Sequence, residues 1–245
     1  MDRKVGVRMA DQVVFKRYEL KYLLTTEQKQ LLLQAMAPYM QPDKYGRTTI
    51  RNLYFDTEDH RLIRRSIEKP VYKEKLRIRA YEKAEPESKV FVELKKKYQS
   101  VVYKRRISLS EKNAMAWLCG DPRLHDGSQI AREIAYFMEH YPVLRPTVFL
   151  SYEREAYFCR DGLDFRVTFD HNILCRQDGF SLGSEPSGTA LLPEGMVLME
   201  LKCSGGIPFW MTRVLSRERI YKTSFSKYGT AYTQMIFPQL HRKVR

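Results

Sequence analysis

Three consecutive runs, 71–81, 89–97 and 101–109, alternate apolar with polar residues at a period of two. Only the polar stretch 82–88 and the tripeptide Tyr98-Gln99-Ser100 separate them. A period of two sends successive side chains to opposite faces of a sheet, so these runs predict a meander of antiparallel strands. The same signature predicts strands over 13–23, about 48–55, 147–159, 163–170 and 196–203. Helical spacing predicts a helix over 25–37, opened by Thr25-Thr26-Glu27 and closed by Pro38 and Pro42. Shorter helices are predicted from Asp56-Thr57-Glu58 through Ile67 and over 110–118, 130–140, 209–217 and 226–237. The Gly/Ser-rich stretch 179–188 predicts a surface loop, not a linker, because strand patterns of one style lie on both sides. There is no internal repeat, and 245 residues suit one large β-rich domain. We therefore read 1–245 as one domain with an ordered core of about 13–238.

The polar half of the alternation is mostly cationic. In 71–81 the odd positions include Lys73, Lys75, Arg77 and Arg79, with Leu76, Ile78 and Ala80 on the even ones. In 89–97, Glu93, Lys95 and Lys97 share one parity and Val90, Val92 and Leu94 the other. Lys104 and Arg106 oppose Tyr103, Ile107 and Leu109, although Arg105 breaks the alternation. The first strand sets Arg17, Glu19 and Lys21 against Tyr18, Leu20 and Tyr22. Late in the chain Arg154, then Arg166 with Asp170, then Glu200 with Lys202 follow the same rule.

An antiparallel sheet commonly shows one face to water, so solvated faces are the plain reading of each strand alone. Like charges set within reach of one another, however, cost stability unless an anion bridges them. Several amphipathic helices could cover the apolar parity. The expected fold is therefore α+β: a closed antiparallel β-barrel with helices packed outside and a charged lumen. Such a lumen suits a linear polyphosphate, whose oxygens Arg grips with paired N–H donors and Lys neutralises as a point charge. Glu19, Glu93, Asp170 and Glu200 on the same face are candidates to hold a hard divalent cation, or to ion-pair with the cations, the better reading for Glu93.

Composition narrows the partner. Lys+Arg 43 against Asp+Glu 29 gives +14, which favours a polyanion. The basic residues alternate with aliphatics on the opposite face instead of sharing a face with aromatics, which argues against a nucleic-acid surface. No apolar run approaches the roughly 20 residues of a membrane span, and the start carries charges without a signal-peptide core, so a cytoplasmic location is expected. That leaves room for a membrane-protein partner. Cys119, Cys159, Cys175 and Cys203 lie far apart with no CxxC pair, consistent with a reducing compartment. The five histidines show no catalytic partner pattern and no Walker-type GxxxxGK[ST] occurs. Ser204-Gly205-Gly206 reads as a turn sooner than a phosphate cradle.

Eight motifs in order, Arg17 to Tyr22 (RYELKY), Leu53 to Thr57 (LYFDT), Lys75 to Tyr81 (KLRIRAY), Val92 to Lys95 (VELK), Ser151 to Arg154 (SYER), Phe165 to Asp170 (FRVTFD), Met199 to Lys202 (MELK) and Ser226 to Tyr228 (SKY), give the chain a family likeness. Over about 15–237 it resembles the polyphosphate polymerase (VTC) domain of the vacuolar transporter chaperone family, within the triphosphate tunnel metalloenzymes. The resemblance implies a tunnel barrel that uses Mn2+ or Mg2+ and binds a nucleoside triphosphate or inorganic polyphosphate. In polymerase members it implies transfer of the γ-phosphate of ATP, the substrate, onto a growing chain. It assigns phosphate contacts to Lys21, Arg77, Arg79, Lys95, Arg154, Arg166, Lys202 and Lys227, adds Lys104 and Arg106, and makes Glu200 a metal ligand. Where the wider superfamily opens with Glu-x-Glu-x-Lys, this chain has Arg17-x-Glu19-x-Lys21. Losing a carboxylate there weakens a second metal that would activate water and favours transfer or binding over hydrolysis. A non-catalytic polyphosphate-binding module and a triphosphatase are the rival readings.

Overall fold

The computed structural model describes residues 18–99, 101–120, 125–141 and 143–242. Arg17 and the start of the first predicted strand lie outside the described residues. The strands are β1 (Tyr18–Thr25), β2 (Met40–Pro42), β3 (Thr48–Asp56), β4 (Tyr72–Ala80), β5 (Lys89–Tyr98), β6 (Val101–Ser110), β7 (Arg145–Cys159), β8 (Phe165–Arg176), β9 (Thr189–Ala190), β10 (Met196–Cys203) and β11 (Lys222–Thr223). The helices are α1 (Thr26–Met36), α2 (Arg61–Ile67), α3 (Glu111–Leu118), α4 (Gln129–His140), α5 (Phe209–Arg217), α6 (Lys227–Ala231) and α7 (Phe237–Arg242), with a π-helical turn (Tyr232–Ile236) between the last two. All eleven strands join one sheet in the order β11-β1-β10-β8-β7-β3-β4-β5-β6, with β2 beside β7 and β9 beside β8.

Local chemistry sets several boundaries. Thr25 and Gln28 exchange hydrogen bonds in a capping box that starts α1. Asp56 does not begin α2 directly: the chain turns through His60, at φ 57°. The Asp56 carboxylate then accepts from the Leu62 and Ile63 amides at 2.8 and 3.0 Å, capping the helix from the end of β3. In β8 one extra residue interrupts the ladder with β7 between Ser151 and Glu153, and Asn172 takes φ 47°. This bulge switches parity. Asp170 points to the charged face before it, whereas Ile173 and Cys175 turn to that side after it.

The apolar parity of β4 and β5 is buried under α3 and α4, where Ile78, Val92 and Leu94 meet Trp117, Ile134 and Phe137. Across the other half, α1 and α5 cover β1, β8 and β10, packing Leu32, Met36 and Met211 on Val167, Phe169 and Leu201. These four helices are outside, as expected. The α6 segment is not: Tyr228, Tyr232 and Ile236 pack with Leu150, Tyr152 and Leu198 on the charged side of the sheet, filling part of it.

The expected closed barrel is corrected. The sheet is open, with β6 at one edge and β11 at the other, and no ladder joins them among the described residues. Alternation along a strand is identical in open and closed sheets, so it could not decide this; edge pairing does. Here the outer edge of β1 is taken at Lys21 and Tyr22 by the two-residue β11. The sheet is still strongly curled, since Lys95 of β5 donates to Glu19 of β1 at 3.3 Å across the charged face. That face is therefore concave, and α6 lies against one part of it. No helix among the described residues is long and apolar enough to cross a membrane. All four cysteines are free thiols.

Candidate functional site

Two clusters organise the concave face. The first surrounds Glu93, which is 1% exposed. Arg77 donates to its Oε2 from Nε and Nη2 at 2.9 and 2.6 Å, Lys104 pairs with Oε1 at 2.5 Å, and Arg106 and Arg79 approach to 3.4 and 4.0 Å. Cross-strand register produces this convergence, because Glu93 lies directly opposite both Arg77 and Arg106. Burial alone would raise the Glu93 carboxyl, but Arg77, Arg79 and Lys104 hold it well below the usual range. Four cations on one carboxylate leave the cluster with a surplus of positive charge.

The second cluster joins β7, β8, β10, β1 and α6. Arg154 grips Asp170 in a fork at 2.6 and 2.7 Å, and Lys227 donates to the same carboxylate at 2.5 Å. Glu200 is held more loosely: Lys227, Arg154, Lys21 and Lys202 lie 3.3, 3.4, 3.5 and 3.6 Å away. Lys21 is also 3.5 Å from Glu19, so Glu19 and Glu200 flank one ammonium. Burial would raise both carboxyls, yet Lys95 and Lys21 bring Glu19 far down, and Lys227, Lys21 and Lys202 do the same for Glu200. Burial, with Arg154 nearby, pulls the Lys202 ammonium down to about 8 despite Glu200.

Lys21, Arg77, Arg79, Lys95, Lys104, Arg106, Arg154, Lys202 and Lys227 thus all reach this face together with Glu19, Asp170 and Glu200. Arg166 does not join them. It stands opposite Lys202 in the β10–β8 ladder but is half exposed at the rim, 3.7 Å from Asp43.

Sequence reasoning passed over the polar residues that support these groups. Arg79 donates to Asn52 Oδ1 at 2.9 Å and to the Tyr152 hydroxyl at 3.1 Å, while Arg77 donates to the Tyr54 hydroxyl at 2.9 Å. Tyr54 stacks on Tyr228, whose hydroxyl donates to Asp56 at 2.8 Å. Asp56 thereby ties α2 and α6 to β3 and helps set the position of Lys227. The signal was present in parity: Asn52 and Tyr54 share one face of β3, as Tyr152 and Arg154 share one face of β7.

A divalent cation fits this face in one way only. No group of three or more His, Cys, Asp or Glu side chains converges among the described residues. Asp170 is saturated by short contacts to Arg154 and Lys227. Glu200 and Glu19, with longer contacts, are better placed to donate. Thr168, opposite Glu200 in the ladder, buries a hydroxyl without a partner. One or two carboxylates suffice for Mg2+ when phosphate oxygens and water complete its shell. The residues fit a cation delivered with phosphate.

The fold recurs in solved structures. A putative adenylate cyclase from Bacillus halodurans aligns over 88% of this chain and 96% of its own, at a TM-score of 0.55 and 18% identity. A putative adenylyl cyclase from Hippeastrum, described as having a dominant triphosphatase activity, aligns over 88% of this chain and 94% of its own, at 0.51 and 17%. At such identities the likeness concerns the fold alone. Comparison with curated proteins gives no significant match. The VTC domain family, by contrast, matches residues 16–236, spanning every strand described above and both charged clusters. The chain belongs to the VTC domain family.

Proposed function

We propose that the concave face binds a chain of phosphoryl groups and that the protein transfers the γ-phosphate of ATP onto a growing inorganic polyphosphate. The observation that carries this reading is the gathering of cations from β1, β4, β5, β6, β7, β10 and α6 on one concave face, with too few carboxylates to neutralise them. Arg77, Arg79 and Arg154 supply forked donors that match phosphate oxygens, and Lys21, Lys95, Lys104, Lys202 and Lys227 supply point charges. Phosphoryl transfer asks little covalent chemistry of a protein beyond aligning donor and acceptor and stabilising charge on the transferred group. Glu200 and Glu19 would hold Mn2+ or Mg2+, which when bound neutralises phosphate oxygens during transfer. Arg166, at the rim, would meet phosphate entering or leaving.

The test is synthesis of polyphosphate from ATP and Mn2+ by the purified protein, with chain length resolved on a gel. The Glu200→Gln variant is expected to lose metal-dependent turnover at least a hundredfold while keeping polyphosphate affinity within a few-fold. Tight polyphosphate binding with no chain made by the wild type would sink the transfer step and leave a binding module. Release of inorganic phosphate in place of chain growth would make the protein a triphosphatase.

A further inference from the structure

The cations of the concave face are not used evenly. Toward Arg79 every cation of β4 shares a carboxylate. Toward the opposite end of the strand the pattern changes to lysine without carboxylate. Lys75 faces Lys95 and Lys73 faces Lys97 as directly opposed partners in the β4–β5 ladder, which sets four ammonium groups in two like-charge pairs. Lys95 has Glu19. Among the described residues Lys73, Lys75 and Lys97 have no carboxylate within ion-pair distance. Lys73 donates to the Ser66 carbonyl at 3.1 Å and Lys75 to the Ser226 hydroxyl at 2.9 Å, both neutral acceptors. Burial and then the charges of Lys21, Lys95 and Lys73 push the Lys75 ammonium down to about 7, and Lys73 is lowered by burial and its lysine neighbours, Lys69 included.

Directly opposed like charges destabilise a sheet. Solvated lysines relieve this by spreading apart, but here Lys75 is held between Ser226 and the face of the sheet. An anion placed between these lysines would relieve the repulsion. We propose that Lys73, Lys75 and Lys97 form a second phosphate site, at the end of the concave face beside α2 and the start of α6, which takes up the distal units of a linear polyphosphate whose first units lie among Arg77, Arg79, Arg154 and Lys202. Length is what selects the ligand. Inward-facing positions on β4 advance by about 7 Å, so Arg79 and Lys73 are about 20 Å apart along the strand. Three phosphoryl units cannot span that distance and a longer chain can. Lysine suits this end because a sliding chain needs point charges that do not fix its angle, whereas the arginine forks fix the units where transfer takes place. The site would make the protein a reader of chain length. This rests on the phosphate-chain reading of the concave face given above.

The experiment uses the full chain with Lys73 and Lys97 both changed to Gln, and three probes: inorganic triphosphate, a linear polyphosphate of tens of units, and single-stranded DNA of equal charge. In the variant, polyphosphate affinity is expected to fall about tenfold while triphosphate affinity stays within twofold. The slope of log affinity against log salt for polyphosphate should drop by about 1.4, two contacts at roughly 0.7 each. Removing both members of the opposed Lys73–Lys97 pair should leave the melting temperature unchanged or raise it, which confirms folding. Unchanged polyphosphate affinity, or an equal loss for triphosphate, overturns the second site. An equal loss for DNA overturns its assignment to polyphosphate and makes it a general polyanion patch. If wild-type protein binds triphosphate but long polyphosphate no more tightly, the second site fails alone; if it binds neither, the reading of the whole concave face fails with it.

Discussion

Replacing Glu93 by Gln separates the stabilising role of that carboxylate from the ligand the cations around it await. Glu93 is 1% exposed, and its two oxygens serve Arg77, Lys104, Arg106 and Arg79. Removing one member of a buried ion pair costs about 3–5 kcal/mol, because the partner charge stays behind. Lys104 and Arg106 are 41% and 33% exposed, so water screens part of the surplus and the lower figure of about 3 kcal/mol applies. For a chain of this size that is a fall in melting temperature of roughly 6–12 °C. A phosphate chain would supply the missing negative charge. The variant should therefore bind triphosphate more tightly than wild type, by about tenfold, and gain about 1.4 kcal/mol more from it at equal saturating concentration. Thermal melts followed by circular dichroism, with and without triphosphate, read both numbers. If the variant is destabilised yet gains no more from triphosphate than wild type, Glu93 is an ordinary core ion pair and the cations around it do not meet phosphate.

Two further outcomes follow from the same geometry. Lys75 and Lys202 titrate near 7 and 8 in the free protein and would be held protonated by a bound phosphate, so each takes up a proton on binding. Affinity for a long polyphosphate, which reaches both lysines, should then weaken between about pH 7 and 9, by up to roughly tenfold per pH unit per lysine, since phosphate itself is already ionised above its second pKa of about 6; the Lys202→Met variant should lose the part of the slope that begins near 8, and a flat titration calorimetry profile would refute the assignment. Asp56→Ala removes the acceptor for the Leu62 and Ile63 amides and for the Tyr228 hydroxyl, and should cost about 3 kcal/mol or more in urea unfolding; because α6 is then untethered, triphosphate affinity should fall as well, whereas a stability loss with unchanged affinity would show that Asp56 does not position Lys227.

Much of the charged face could be read from alternation alone. The odd positions of β4 and β5 and the even positions of β6, β8 and β10 fall where a period of two puts them. The cations Lys21, Arg77, Arg79, Lys95, Lys104, Arg106, Arg154 and Lys202 share that face because backbone pleating leaves them no alternative, whereas Lys227 reaches it from α6. Alternation stopped being informative at the β8 bulge, where one extra residue exchanges the faces after Asp170. It also says nothing of strands as short as β2, β9 and β11, which exist only because a neighbouring edge is there to pair with.

Partners across strands lay beyond the sequence because register and curl are tertiary. That Asp170 is spent on Arg154 and Lys227, that Glu93 serves four cations and that Arg166 stands apart depend on which residues the ladders bring opposite one another. The amphipathic pattern of residues 226–237 predicted a helix but not its side of the sheet; the stack of Tyr228 on Tyr54 and its bond to Asp56 put it inside. The sequence by itself determined which side chains share a face, since that follows from geometry within one strand. Whether the sheet closes, what α6 covers and where lysines are left without carboxylates were decided only by contacts between residues far apart in the chain, whose energies depend on burial and on edges that no local pattern encodes.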